Sequence, residues 1–515
     1  MKNCLFIPAV CLLSVSLYGQ EAAQPVTGYS GMELNYAQSL WFHTSNAAGI
    51  AVTPLRNYNI LSAQYATVAG GYKLQQEGDR NRNMNFNTNG ALLLGKFFLW
   101  GDFTFSDSHV TGATYNTNRY EPTSGMPYYV ADPNKSDWKK QYYDMTLKAA
   151  LPIWKERLVL GAKVHYTTKR AAKQLDPRAT VHGYGILIKP SVVAKITHRH
   201  HAGASLWYQN TFDRNTFINS LTYHSEKIYI MKGLGNYSPG VVGGSGGIGV
   251  FYYPGNQYGG GLQYGVTGNN KALLLDITCA TEKIEVFETP AKPQRRGTAN
   301  NTTIAANLQL IRNGNHTHKI TANAGQSATD GVEYVQEYDS RYEVNQWITI
   351  AEYVKSTYKR LWASLQYDLF MGNRYDYAWK AGIKTLYSNR QDEYLAPRSV
   401  FNAQNSYTEL SAAKNLAIGA SAKILFGLQL GYNLNLGGEY AYSGAEATSV
   451  LVTDFYPKDL SYLTSHYGKI GGSVNASFLT KSQSSINLHL AGQWLKPAGS
   501  PSDRFYLTAE VAYIF

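Results

Sequence analysis

The chain of 515 residues lacks the features that would place it in the commonest classes. No run of about 20 apolar residues follows the first 20 positions, so helical membrane spans are excluded. Cysteine is nearly absent. Cys4 and Cys11 sit in the N-terminal apolar stretch and Cys279 stands alone, which excludes a disulfide scaffold. Charged residues make up only 16 %, against about 25 % in soluble domains. Dense basic runs are missing too. The formal charge of +12 is scattered, Lys139-Lys140 and Lys169-Arg170 being its best clusters, so nucleic acid is not an expected partner.

What is present is aromatic and finely interleaved. Tyrosine numbers 41, aromatics reach 13 %, and mean hydropathy is −0.31 because Gly, Asn, Ser, Thr and Gln dilute the apolar residues. A disordered chain would not carry so many aromatics.

The first 19 residues read as a removable secretory signal. Lys2 supplies a minimal basic start, Leu5 to Tyr18 an apolar stretch, and Gly19-Gln20 a small residue for cleavage. A lipid anchor on Cys11 competes poorly, because the apolar run continues through Leu12, Leu13 and Val15.

Beyond residue 58 the dominant signal has period 2. In Ile424 to Leu436, Ile424, Phe426, Leu428, Leu430, Tyr432, Leu434 and Leu436 alternate with small or polar residues. The segments 158–167, 304–310, 361–369 and 375–384 repeat the pattern. Soluble strands are usually about 5–6 residues long, whereas strands crossing a bilayer need about 9–11. Alternation over that length is what a closed barrel in lipid requires, because each backbone group must be paired and no edge left open. The expected fold is therefore all-β, a transmembrane antiparallel barrel over 59–515. Residues 20–58 precede it as a periplasmic or lumenal segment, long enough for a small hatch.

Short connections at Pro152–Glu156, His198–His201, Asn313–Asn315, Met371–Arg374 and Lys481–Ser485 fit periplasmic turns. Long external loops are expected near 107–138, 168–181, 212–257, 289–298, 328–342, 388–403 and 441–463. The strand count comes to about 16–18, with 14 as the low alternative. The count turns on 343–370, which reads as one overlong strand or as two broken at Lys355–Tyr358.

The last segment, Arg504 to Phe515, puts Phe505, Leu507, Ala509, Val511, Tyr513 and Phe515 on one face. It resembles the C-terminal signal read by the barrel-assembly machinery of bacterial outer membranes, with Phe505, Val511, Tyr513 and Phe515 as its carriers. The whole pattern resembles the uncharacterised outer-membrane barrels of Gram-negative bacteria. Asn46-Ala-Ala-Gly-Ile50 is faintly similar to the Asn-Pro-Ala-Gly-Leu segment of long-chain fatty-acid transporters, with Ala47 in place of proline.

Several motifs carry little. Gly244 to Gly249 satisfies G-x-G-x-x-G and Gly243 to Gly247 satisfies G-x-S-x-G, but the strand-like Val250 to Tyr253 follows where either chemistry needs a helix. His198, His200 and His201, like His316 and His318, have no acidic or thiol companion beside them, and no metal or other cofactor is expected.

Inward-facing charges are more informative. Lys148, Lys163, Lys189, Lys195, Arg360, Lys380 and Lys384 oppose Asp102, Asp144, Asp276, Asp368, Asp376 and Glu510. Most are expected to pair across a wet lumen, and their near balance argues against strong anion selectivity. From Tyr229 to Tyr264, glycines stand among Tyr229, Tyr237, Phe251, Tyr252, Tyr253 and Tyr258, a composition suited to a lid over the mouth or to ligand contact.

Function is expected to be that of an outer-membrane channel or uptake barrel for a small solute, rather than an enzyme. The competing readings are an accessory barrel of a TonB-dependent receptor or secretion system, and a lipid-modifying barrel enzyme for which no spacing nominates a triad. Outer-membrane lipid and the assembly machinery are the remaining expected partners.

Overall fold

A computed structural model describes residues 28–121, 125–220, 223–243, 249–289, 293–341, 346–373, 375–419, 421–480 and 484–515. The signal-peptide expectation lies outside them, as does most of the glycine run at 244–248.

Eighteen antiparallel strands close on themselves. The first three wall strands are β1 (Tyr58–Ala69), β2 (Arg80–Leu94) and β3 (Phe97–Ala113). Two short strands, β4 (Asn116–Thr117) and β5 (Val130–Asp132), lie outside the wall. It resumes with β6 (Ser136–Ile153), β7 (Leu158–Lys173), β8 (Arg178–Lys195) and β9 (His200–Ile218). A hairpin of β10 (Glu226–Gly233) and β11 (Asn236–Val242) again leaves it. The wall continues through β12 (Val250–Thr267), β13 (Lys271–Glu288), β14 (Gln294–Arg312), β15 (His316–Asp339) and β16 (Gln346–Gly372). Its last strands are β17 (Tyr377–Leu395), β18 (Arg398–Ile418), β19 (Ala422–Ala441), β20 (Tyr467–Leu479), β21 (Ser485–Pro497) and β22 (Arg504–Ile514).

Closure is made by β1 against β22, from Ile60 opposite Ile514 to Ala69 opposite Phe505. Phe515 extends the seam: its N–H donates to the Asn59 carbonyl at 3.0 Å, and Asn59 N–H donates back at 2.8 Å. Phe505, Val511, Tyr513 and Phe515 all stand exposed on the outer face.

The expected count of about 16–18, with 14 as the low alternative, is corrected to a closed ring of 18, which excludes 14 and 16. Residues 346–372 form one strand, not two. Gly331 pairs with Ser356 and Val332 with Val354, so Lys355 is a β-bulge. A bulge inserts one unpaired residue and shifts the alternation without ending the strand. That broken period mimicked a turn.

The set of long external loops is corrected as well. The longest connections between wall strands are 114–135, 219–249 and 442–466, followed by 70–79. Around 168–181, 289–298, 328–342 and 388–403 the strands themselves run outward past the bilayer, leaving short tips such as 174–177 and 396–397. At the opposite end every connection is short.

The outer wall is apolar: Leu428, Leu430, Tyr432, Leu434 and Leu436 are about half exposed, while Gln429 and Asn433 lie inside. A closed barrel with this band satisfies every backbone group without water. No helix among the described residues is long and apolar enough to cross a membrane. This is an outer-membrane β-barrel.

Inside it lies the helix α1 (Tyr29–Gln38), followed by 3-10 turns at Leu40–His43 and Ala47–Ala51. At the outer mouth, β4, β5, β10 and β11 form a separate four-stranded sheet, beside the short helix α2 (Tyr456–Leu463).

Candidate functional site: a polar chamber closed at both ends

The N-terminal segment crosses the lumen at its periplasmic end. Asn46 anchors it to one wall. Its side chain accepts from Ala48 N–H at 2.9 Å and donates to the carbonyls of Val192 (2.9 Å) and Ala204 (3.1 Å) and to Gln263 Oε1 (2.8 Å). Such full satisfaction is what a buried amide requires. The wall makes room with glycine: a Cβ on Gly161 would lie 2.2 Å from Ala48 N, and one on Gly203 would lie 2.7 Å from Asn46 Nδ2. The Asn46–Ile50 stretch, singled out by its faint transporter likeness, is thus the docking point of the segment.

Other contacts reach the remaining wall. Ser45 N–H and Oγ donate to Asp276 (2.7 and 3.0 Å), and Tyr29 donates to Glu510 (2.9 Å). Lys380 donates to Glu33 at 2.6 Å, and Tyr377 also donates to Glu33. Because β6, β13, β17 and β22 lie around the ring, the segment spans the opening.

The outer end is closed by the three long loops. Tyr128, Val130, Ile228 and Ile230 pack against Phe251 and Tyr253 of the wall. Met231, Leu451, Phe455 and Tyr456 pack against Phe401. Asn118 and Tyr253 exchange hydrogen bonds of 2.8 and 3.0 Å, and Trp138 donates to Asn116 at 2.7 Å. Lys173 and Asp132, both buried, pair at 2.6 Å.

The Tyr229–Tyr264 stretch therefore divides. Tyr229 and Tyr237 meet edge-on at 4.9 Å in the cap hairpin. Phe251 and Tyr253 point inward beneath the cap, while Tyr252 and Tyr258 stand on the outer wall beside Phe212 and Tyr208.

Between the two closures the lining is polar. On β2 every second residue from Asn81 to Asn89 is asparagine and faces inward. Asn85 donates to Gln64 at 2.9 Å, and Asn87 donates to Asp102 (3.1 Å) and Thr104 (2.8 Å). This ladder was missed in the sequence, although an Asn repeat of period 2 was there to find.

The charges are not mixed evenly. Arg360 and Arg390 both bind the fully buried Asp392, the latter at 2.7 Å. Lys380 lies 3.5 Å from Asp368, Lys423 2.7 Å from Asp376, and Lys469 2.7 Å from Glu409, with Lys384 directly opposite Glu409 in register.

The lysines of β6, β7 and β8 differ. Lys148, Lys163 and Lys189 are direct cross-strand neighbours on the inner face. Lys148 Nζ donates to the Phe42 carbonyl at 3.0 Å and lies 4.2 Å from that ring's centroid and 5.3 Å from Trp100. Lys189 Nζ stands 3.9 Å over Trp207. Among the described residues, no carboxylate forms an ion pair with any of the three. Like charges directly opposite each other cost stability, so this row is held in place against its own repulsion. Aromatic faces at both ends attract the cations, and Lys163 in the middle feels the Asp144 carboxylate of β6 from beyond ion-pair distance.

The histidines serve local structure. His200 shares a 2.7 Å hydrogen bond with Tyr264, His201 packs against Trp41, and His318 bonds to Tyr367 at 2.8 Å. Among the described residues no group of three or more His, Cys, Asp or Glu is arranged to hold a metal ion.

No curated protein matches the chain. Among solved structures it is similar to BauA, the ferric preacinetobactin receptor from Acinetobacter baumannii, with 9 % identity, a TM-score of 0.41, and coverage of 89 % of this chain and 80 % of that one. The copper transporter OprC gives 9 % identity and a TM-score of 0.39 over 88 % and 80 %. OpdK of Pseudomonas aeruginosa, solved with vanillate, gives 10 % identity and 0.32 over 89 % and 98 %. Similarities this distant say nothing of solute or partner. Residues 47–515 match the family of unknown function DUF6850, and the chain belongs to that family.

Proposed function

We propose that the protein is a gated uptake barrel for a small anionic solute. The lysine row Lys148–Lys163–Lys189 carries the reading. Three like charges on adjacent strands, with no paired carboxylate among the described residues, are a standing cost that a bound anion relieves. The asparagines of β2 supply neutral donors and acceptors for the rest of the solute. The N-terminal segment acts as the hatch, since it occupies the exit and is held by side-chain bonds rather than by strand pairing. The cap of β4, β5, β10 and β11 guards the entrance, with Tyr229 and Tyr237 among its contacts.

Planar-bilayer recording tests this. The intact protein is expected to conduct poorly, and a variant lacking residues 28–51 to conduct steadily with preference for chloride over potassium. Replacing Lys148, Lys163 and Lys189 by glutamine in that variant should abolish the preference. Unchanged chloride preference would remove the lysine row from the account.

A further inference from the structure

The outer face of β6 to β9 carries a second cation cluster, at the external edge of the apolar band. In register, Gln141 on β6 faces Arg170 on β7, Arg170 faces His182 on β8, and His182 faces Arg214 on β9. All four side chains are exposed and point away from the lumen. Below them along the same strands stand Tyr143, Tyr166, Tyr184 and Phe212, and Tyr184 and Phe212 stack at 6.0 Å. The two layers together line a hollow of about 580 Å³. From Leu160 to Arg170, ten residues of a tilted strand rise through about 25 Å of bilayer, which is the height of the apolar band of such barrels. The aromatic layer therefore lies at the interface and the arginines just above it.

Some outward cations of the external rim have carboxylate partners, whereas others, such as Arg82 on β2 and Lys359 on β16, stand alone on their strands among the described residues. Lys283 is 3.3 Å from Glu285, Arg398 is 2.8 Å from Glu393, and Lys135 is 2.7 Å from Asp79. Among the described residues, Arg170 and Arg214 have none. The nearest acid in the same row is Asp107, set two strands from Arg170 with Gln141 between them. Neighbouring strands lie about 4.8 Å apart, so the two guanidiniums flank a gap of roughly 10 Å with His182 at its centre. Arginine presents a planar fork that matches phosphate oxygens in pairs, and aromatic rings beneath give sugar or acyl carbon a surface to rest on.

The geometry points to a binding site for a phosphate-bearing lipid headgroup of the outer leaflet, gripped by Arg170 and Arg214 over the Tyr166–Tyr184–Phe212 shelf. Its acyl chains run down the apolar wall, and its phosphate supplies to Arg170 and Arg214 the counter-charge that Glu285 and Glu393 supply to Lys283 and Arg398. The site is on the opposite face of the wall from the lysine row and does not depend on which solute the barrel admits.

Native mass spectrometry of the detergent-solubilised full chain provides the test, with bisphosphorylated lipid A as probe and its dephosphorylated form and inorganic phosphate as separate arms. The intact protein should retain bisphosphorylated lipid A, and R170Q/R214Q should bind it at least about tenfold more weakly, the loss expected for charge-assisted bonds to phosphate. R170K/R214K should fall between, because it keeps the charge and loses the fork. R199Q, in a periplasmic turn, should bind as the parent does. Heat-modifiable mobility on gels reports folding of each variant, and if the double variant does not fold, the single glutamine variants decide the matter. Equal retention by the arginine and glutamine forms overturns the proposal, as does equal binding of dephosphorylated lipid A. Inorganic phosphate binding as tightly as the lipid also overturns it.

Discussion

Two sectors of the same inner wall treat their charges in opposite ways. On β16 to β20, Arg360, Arg390, Lys380, Lys423 and Lys469 each meet a carboxylate within 4 Å. On β6 to β8, Lys148, Lys163 and Lys189 meet one another and aromatic rings instead. The first sector uses charge as an internal tie, since a buried carboxylate is tolerable only when paired. The second holds its ammonium groups against their mutual repulsion, which is the feature behind the proposed anionic solute. Total charge conceals this, because both sectors contribute to the same near balance.

The largest effect should come from breaking a tie. Asp392 is fully buried between two arginines, and D392A would leave both without their counter-charge. Removing one partner of a buried ion pair costs about 3–5 kcal/mol. The value here should lie near the lower figure, because the arginines are about a third exposed and can draw in water. Urea unfolding of the protein in lipid vesicles measures it, and a loss under about 1 kcal/mol would mean that the tied sector is not tied by charge.

A smaller, pH-dependent effect belongs to the cap. Burial pushes the Asp459 carboxyl on α2 up to about 6, against the opposing pull of the Gln75 N–H at 2.8 Å and of Arg390, with Glu77 adding repulsion and Lys73 attraction. A raised carboxyl binds its proton in the closed cap but not in the opened one between about pH 4 and 6. Cap stability is therefore full below that window and is lost as pH rises through about 6. Hydrogen-exchange protection of 456–463 should be greater at pH 5 than at pH 7.5, and D459N should flatten the difference. Equal protection at both pH values in the parent would show that this carboxyl does not govern the cap.

The smallest effect should have the reverse sign from the first. K163Q removes the middle charge of the lysine row, and relief of like-charge repulsion between directly opposite residues is worth about 0.2–1 kcal/mol. The variant should unfold at slightly higher urea than the parent. Destabilisation comparable to that of D392A would erase the distinction between the sectors.

The barrel itself was plain in the alternation of Ile424 to Leu436 and of Arg504 to Phe515, because period 2 maps directly onto the two faces of a strand. The strand count was not, because the bulge at Lys355 shifts the phase of β16 in the way a turn would, and only pairing with Gly331 and Val332 tells the two apart. The extent of the external loops was hidden for a related reason. Strands that continue above the bilayer no longer need an apolar face, so their composition matches that of loops.

Inward charges could be named from alternation alone, since Lys148, Lys163 and Lys189 each fall on the polar face of their strand. Which of them meet a carboxylate could not. A pair such as Arg360–Asp392 depends on the register between neighbouring strands, and Lys380–Glu33 joins residues 347 positions apart. Sequence by itself determined the barrel, its faces and its polar lining, all of which are local consequences of strand periodicity. Only the tertiary structure decided that the lumen is crossed by Tyr29–Ala51, capped by three loops, and lined on one side by lysines that form no ion pair among the described residues, because each of these rests on contacts between segments far apart in the chain.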